Sequence, residues 1–567
     1  MRILLLSHAF NSLTQRLYVV LKQDGHDVSI EFDIHDDVAQ QAIDLFKPDL
    51  IVAPYLKRAI PASIWKKHVC LIVHPGIVGD RGPSALDWAI INQEQRWGVT
   101  LLQANAEMDA GDIWATVEFP MRTGSKASIY RNEVSFAALQ AVQQAVINFA
   151  NPDFKAVPLI RQRSSHRGEL RPLMQQDVRS IDWQHDDTAT VLRKINSADG
   201  FPGVKSEWFG RHVFVYDARQ ASGLSGAAGE TLARSGFALC RATRDGAVWI
   251  GHVKDKLHHH PFKLPASLIF ATESKALTEI PANEGYQEIS YAEANGVGYL
   301  YFPFYNGAMS SAQCKALRIA YQAATQRNTQ VIVLMGGNDF WSNGIHLNMI
   351  EAASSAADES WENIQAMNDL SEAIITTTSH MVVAAMQANA GAGGVFLARA
   401  ADQVWAHEDV ILNPHYKDMG NLYGSEYWTY LLPKYCDEQH AKRITQARLP
   451  MGVQEACALG LIDMVIEGEK TSFVTQVKQQ AVALAQSENM AQRLQQKQQS
   501  RLQDEALKPL AAYRDEELCR MKKNFYGFDP SYHVARYNFV YKVCKSRTPL
   551  TLANHRSMGA NALRRAA

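Results

Sequence analysis

A few residues have the types and spacing to do chemistry. His74-Pro75-Gly76 follows one apolar run, and Met108-Asp109-Ala110-Gly111-Asp112 follows another. A histidine and an aspartate at the ends of neighbouring strands can converge on one ligand. The imidazole then donates to a developing oxyanion, and the carboxylate orients the ring or takes a proton. On spacing alone, a core His and a capping Asp are the more ordinary outcome. Farther on, Gly344-Ile345 and Gly393-Gly394 each lie beyond a strand-like run. Glycines before a helix leave backbone N–H groups unpaired, and two such segments facing each other make an oxyanion site. Glycine also permits close helix packing, so neither motif decides alone. Tyr416 and Glu426 are acid–base side chains nearby. Core packing competes for the first and a surface salt bridge for the second. His258-His259-His260 could bind a metal, but consecutive side chains diverge, and a solvated loop with no metal is expected.

The elements that must position these residues follow from periodicity. Arg2–Ser7, Val28–Phe32, Asp49–Ala53 and Leu71–Val73 are apolar runs separated by helical spacing. This rhythm predicts a parallel sheet with helices on both faces, and ligands at the carboxyl ends of the strands, where His74 falls. From about Ser164 the texture changes to short strand-like runs such as His212–Tyr216, with a flexible Gly223–Gly229 turn. That stretch predicts a small β-rich, barrel-like domain. A second α/β core begins near Gln287, with strands at Val297–Phe302, Val331–Met335 and Met381–Met386 and a helix at Ala312–Thr325. Ala481–Leu507 is polar and helical, a surface helix or linker, and the aromatic stretch Tyr513–Lys542 should pack on something.

The chain has 567 residues and a formal net charge of −1, too long for one core and without a basic field for nucleic acid or a membrane surface. Seven scattered cysteines with no C-x-x-C pair argue for a reducing compartment. The N-terminal run Ile3–Leu6 is too short for a signal peptide or a membrane span, so a cytoplasmic location is expected.

Over residues 1–150 the ordered pieces Pro48-Asp49-Leu50-Ile51-Val52, His74-Pro75, Arg81-Gly82, Trp88-Ala89, Gly98-Val99-Thr100 and Met108-Asp109-Ala110-Gly111-Asp112-Ile113 resemble the tetrahydrofolate-dependent formyltransferase family. Ile181-Asp182-Trp183 and Pro202-Gly203 resemble that family's small C-terminal domain. The resemblance implies catalytic His74 and Asp109 beside a 10-formyltetrahydrofolate site that includes Arg81, Gly82 and Asp112. One position departs: the family's catalytic Asn falls at Ile72, which has no side-chain donor. Loss of one oxyanion donor costs on the order of a hundredfold in rate, so a compensating feature or a more reactive acceptor such as a thiol is expected.

Phe340–Leu347, Gly391-Ala392-Gly393-Gly394-Val395-Phe396-Leu397-Ala398 and Ala456-Cys457-Ala458-Leu459-Gly460-Leu461-Ile462-Asp463 resemble the enoyl-CoA hydratase/isomerase (crotonase) family. The resemblance implies a thioester oxyanion hole from the amides of Ile345 and Gly393, with Gly344 and Gly394 beside a coenzyme A site. Both hydratase glutamates are replaced, by Phe396 and His415, which argues against water addition and leaves Tyr416 or Glu426 to handle a proton.

The fusion, with Tyr532-His533-x-x-Arg536 after Asn524-Phe525 in its tail, resembles a family of [NiFe]-hydrogenase maturation factors over nearly the whole chain. That resemblance implies formyl transfer from 10-formyltetrahydrofolate to coenzyme A, then release of CO from formyl-CoA as a hydrogenase iron ligand. Hydrogenase maturation proteins are the partners it implies. A hydrolase and thioesterase giving formate, and a non-catalytic scaffold, remain open alternatives. The expected organisation is a formyltransferase-like domain at 1–163, a β domain at 164–275, a crotonase-like domain at 287–470 and a helical extension at 471–567, all in a multidomain α/β chain.

Overall fold

The computed structural model describes residues 1–159 and 167–556. The expected boundary at residues 163 and 164 lies outside the described residues. The chain divides into two compact units, one of Met1–Pro281 with the segment from Cys544 onward, the other of Ala282–Val543.

In the first unit, β1 (Arg2–Ser7), β2 (Asp27–Phe32), β3 (Leu50–Tyr55), β4 (Cys70–His74), β5 (Arg96–Gln103) and β6 (Ile113–Pro120) form one sheet in the order β2-β1-β3-β4-β5-β6. Ile3–Leu6 of β1 are at most 2% exposed, as an apolar strand covered on both faces must be. The first four strands are mutually parallel, as expected. β5 and β6 run antiparallel, which corrects the expectation of an all-parallel sheet. Periodicity reports burial and not direction, and the short β5–β6 connection suits a hairpin as well as a crossover needs a helix.

A seven-stranded sheet follows, from Val204–Trp208 to Thr278–Glu279. Val204–Trp208 alternates buried and exposed residues, the period of a strand with one face on a core.

The last described residues return to the first unit and cover the free edge of β2. The Ile30 amide donates to Leu552 O at 3.1 Å, and the Phe32 amide to Thr548 Oγ1 at 2.8 Å. Beneath them Glu31, fully buried, accepts from His555 Nε2 at 2.9 Å and from Arg556 at 2.7 Å. These contacts satisfy an edge that would otherwise present unpaired backbone groups.

The second unit is built on a six-stranded sheet in chain order: Ser290–Ala294, Val297–Tyr301, Val331–Met335, Met381–Met386, Gln403–His407 and Met464–Ile466. The first pair is an antiparallel hairpin turned at Asn295-Gly296, where both residues have positive φ (53° and 78°); the other pairings are parallel. Every residue of Val331–Met335 and Met381–Met386 is buried. One face packs Phe473, Val477, Ala481 and Ala485 of the helix Phe473–Ala485, of which only the last two fall in the stretch 481–507 expected as a surface helix or linker; the helix Met490–Leu507 in that stretch buries Met490 alone. The aromatic tail does pack: Leu518, Met521 and Phe525 of the helix Leu510–Tyr526, with Tyr532, join the core on the other face. Among the described residues no helix is long and apolar enough to cross a membrane.

Candidate active sites

The first site stands at the carboxyl end of β4. His74, the last residue of β4, is 4% exposed. Its Nε2 donates to Oδ2 of Asp80 at 2.9 Å, and its Nδ1 stands 3.6 Å from Oδ2 of Asp109. The structure therefore brings together the expected pair and adds a second carboxylate. Asp80 is 1% exposed, and its Oδ1 is buried without a hydrogen-bond partner among the described residues. An Nε2–H bound to a carboxylate leaves Nδ1 as the nitrogen that meets a reactant, and the ring is held in one orientation.

Backbone shape makes this possible. A Cβ on Gly76 would stand 2.4 Å from His74 Nε2 and 2.5 Å from Asp80 Oδ2, so only glycine lets the loop close over that bond. Asp109 adopts a left-handed backbone (φ 51°), and its Oδ2 accepts the Gly82 amide at 3.1 Å. Gly82 itself has φ 114°, and a Cβ there would meet the Arg171 carbonyl oxygen at 2.1 Å. Arg81 donates to Glu107 at 2.6 Å and to the Met108 carbonyl oxygen at 3.2 Å, pinning the loop that presents Asp109. Arg81 and Gly82 thus spend their donors on shaping the wall. Asp112 is exposed, and its carbonyl oxygen accepts the Gln103 amide at 2.9 Å. Ile72, two residues before His74, packs on the apolar cluster of Leu4, Leu6, Ile51 and Ala53 and brings no polar atom.

In the second unit the segments Ser342–Ile345 and Ala390–Gly394 run backbone against backbone. The Gly391 amide donates to Ser342 O at 2.9 Å, and Trp341 Nε1 to Gly394 O at 2.9 Å. A Cβ on Gly394 would stand 2.2 Å from Ser342 O, and one on Gly344 would stand 3.5 Å from the Gly393 nitrogen. Among the described residues, the amides of Ile345 and Gly393 form no backbone hydrogen bond outside regular elements. Gly393 opens the helix Gly393–Arg399, so its amide has no partner within that helix either.

Glu426 lies over this pair. It is 1% exposed, and a Cβ on Gly393 would be 2.2 Å from its Oε1. Its Oε2 accepts from the Tyr416 hydroxyl at 2.6 Å. Burial pushes the Glu426 carboxyl up to about 7, against the Tyr416 hydrogen bond that lowers it, and the nearby Glu517 charge adds to the rise. Burial, with the Glu426 charge, drives the Tyr416 hydroxyl well above its ordinary value. Tyr416 therefore stays a donor, and Glu426 is the group that changes charge near neutrality. Phe396 is fully buried and stacks on Tyr416, centroids 5.7 Å apart. His415 is 9% exposed, and burial lowers its imidazole.

Sequence reasoning did not single out Asp80, Asn368 or Glu517. The signal for the last two was a polar residue within a buried stripe: Asn368 beside Ile364, Met367 and Leu370, and Glu517 beside Leu518 and Met521.

Comparison with known proteins finds relatives for both units. A formyl transferase family model matches residues 14–146, a formyl transferase C-terminal domain model 173–259, and an enoyl-CoA hydratase/isomerase model 299–525. Hydrogenase maturation factor HoxX of Bradyrhizobium diazoefficiens is 57% identical over 556 residues, 98% of this chain and 97% of its own. The crystal structure of HypX from Aquifex aeolicus in complex with tetrahydrofolic acid is similar with a TM-score of 0.95, at 46% identity over 98% of this chain and 99% of that one. The chain therefore belongs to the HypX/HoxX family of hydrogenase maturation factors, a formyl transferase module of two domains followed by an enoyl-CoA hydratase/isomerase module.

Proposed function

We propose that the chain moves a formyl group from 10-formyltetrahydrofolate to the thiol of coenzyme A and then splits formyl-CoA into CO and coenzyme A, supplying CO for [NiFe]-hydrogenase maturation. The tetrahydrofolic acid bound by the Aquifex aeolicus relative supports the donor. In the first step the thiol sulfur attacks the formyl carbon, the C–N bond to N10 of the folate breaks, and the proton lost by the thiol ends on N10, giving tetrahydrofolate. His74 Nδ1 faces the developing oxyanion, while Asp80 holds the ring through Nε2 and Asp109 takes or steers the proton. The Asp80 contact holds the His74 ring in the orientation that aims Nδ1 at the reactant, where Ile72 brings no side-chain donor.

In the second step the thioester oxygen lies against the Ile345 and Gly393 amides. Glu426 takes the hydrogen on the carbonyl carbon as a proton, the electron pair of that C–H bond completes CO, and the C–S bond leaves as thiolate. The proton on Glu426 then returns to sulfur, giving the thiol. Phe396 keeps water from the carbonyl, where it would otherwise make formate.

The observation that carries the reading is a buried carboxylate, poised near neutrality, directly above the Gly393 backbone. A hydratase carries its acid–base carboxylates at the positions of Phe396 and His415, and neither is present. Glu426→Gln should accumulate formyl-CoA from 10-formyltetrahydrofolate and coenzyme A, detectable by mass spectrometry. Release of free formate as fast as the donor is used, with no formyl-CoA, would refute it.

A further inference from the structure

Ser425 and Tyr427, on either side of Glu426, are held by a second buried carboxylate that the reaction itself does not use. Glu517, on the helix Leu510–Tyr526, is fully buried. It accepts from Ser425 Oγ at 3.1 Å, the Tyr427 amide at 3.0 Å, the Thr429 amide at 2.8 Å and Thr429 Oγ1 at 2.7 Å. Glu426 and Tyr427 are both left-handed, each with φ 60°. Two successive left-handed residues with bulky side chains persist only where their surroundings hold them. Asn368 Oδ1 supplies the other grip, accepting from the Glu426 amide at 2.8 Å; it also lies 2.9 Å from Ser425 Oγ, whose single proton is shared between Asn368 and Glu517.

We propose that Glu517 is the residue that positions Glu426: through Ser425, Tyr427 and Thr429 its carboxylate holds the left-handed step that carries the Glu426 side chain over Gly393. The proposal rests on the reading of Glu426 as proton acceptor. Satisfying the start of the helix Trp428–Tyr435 does not by itself call for this residue. Ser or Asn caps as well, and a buried carboxylate is costly. Its charge has a use that a neutral cap lacks. Glu517 is itself pushed up to about 7 by burial, and its negative form raises Glu426. The other titratable groups facing this pair are Tyr416, Tyr423 and Cys314, all pushed toward their neutral forms by burial. Glu517 thus both aims Glu426 and keeps it basic.

The test measures CO release from formyl-CoA by the full chain from about pH 5 to 9, where a general base near neutrality shows its ascending limb. Glu517→Gln removes the charge and keeps an acceptor. It should move that limb down by about one pH unit and lower kcat about tenfold or more, with KM within about twofold. Ser425→Ala cuts the Glu517–Ser425–Asn368 tie and leaves both carboxylates. It should lower kcat by a similar factor at unchanged KM. A limb that stays in place in a folded Glu517→Gln chain overturns the proposal. If that variant does not fold, unchanged kcat in Ser425→Ala overturns it. Failure of the unsubstituted chain to release CO is a different result: it removes the proton-acceptor reading of Glu426 and the proposal with it.

Discussion

At Glu426 and Tyr416 a single hydrogen bond sorts two candidate proton handlers into two roles. Tyr416 donates at 2.6 Å and is held protonated, so of these two it is Glu426 that titrates near neutrality. CO release should rise with pH through about 7, as the Glu426 carboxyl loses its proton. The hydrogen bond from Tyr416 lowers the Glu426 carboxyl, so Tyr416→Phe should move that rise to higher pH. The same rate-versus-pH series checks both; a shift to lower pH in Tyr416→Phe would contradict the assignment. Asp80 is the corresponding residue of the first unit. Asp80→Asn keeps the volume but replaces the carboxylate on His74 Nε2. It should slow use of the formyl donor by about 10²–10⁴-fold, with CO release from added formyl-CoA unaffected.

At the scale of elements, two glycines decide whether these side chains can meet. A Cβ at Gly393 would enter the Glu426 carboxylate, and one at Gly76 would enter the His74–Asp80 bond. Gly393→Ala should cost about 10²–10³-fold in CO release while donor consumption persists, and Gly76→Ala should do the reverse. Assaying the two half-reactions separately on each variant checks this. These strand-end positions were legible in the sequence because an apolar run of limited length followed by glycine marks where a strand stops. Strand direction was not: β5 carries the same burial signal whether it runs with β4 or against it. The hairpin at Asn295-Gly296 could have been found from that dipeptide, although its first strand, Ser290–Ala294, has little apolar character. Asn368 and Glu517 escaped for a different reason. Each acts on a residue brought to it by tertiary packing, Glu517 on Tyr427 across 90 residues of chain, and no local spacing encodes that. Asp80 is only six residues from His74, in the loop that Gly76 lets close.

At the scale of the whole molecule, the chain leaves the first unit at Pro281 and rejoins it at Cys544. The periodicity of 471–567 carries no sign of this return, because the tail is held by a polar cluster and not by an apolar stripe. Its anchor, Glu31, has its carboxyl lowered by hydrogen bonds from His555, Thr548 and Arg556, which outweigh the burial that raises it. A carboxyl depressed in the folded state stabilises the fold above the ordinary glutamate range. That contribution is lost as pH falls through the depressed value. Hydrogen exchange at the Ile30 and Phe32 amides, which the tail covers, should therefore accelerate below about pH 4 before the rest of β1 and β3 responds. The central claim concerns both units on one chain, and carbon isotope tracing addresses it most directly. With 10-formyltetrahydrofolate labelled with ¹³C in the formyl group, coenzyme A and the intact chain, labelled CO should appear in step with donor loss and should require coenzyme A. Labelled formate as the sole product, formed equally well without coenzyme A, would contradict it.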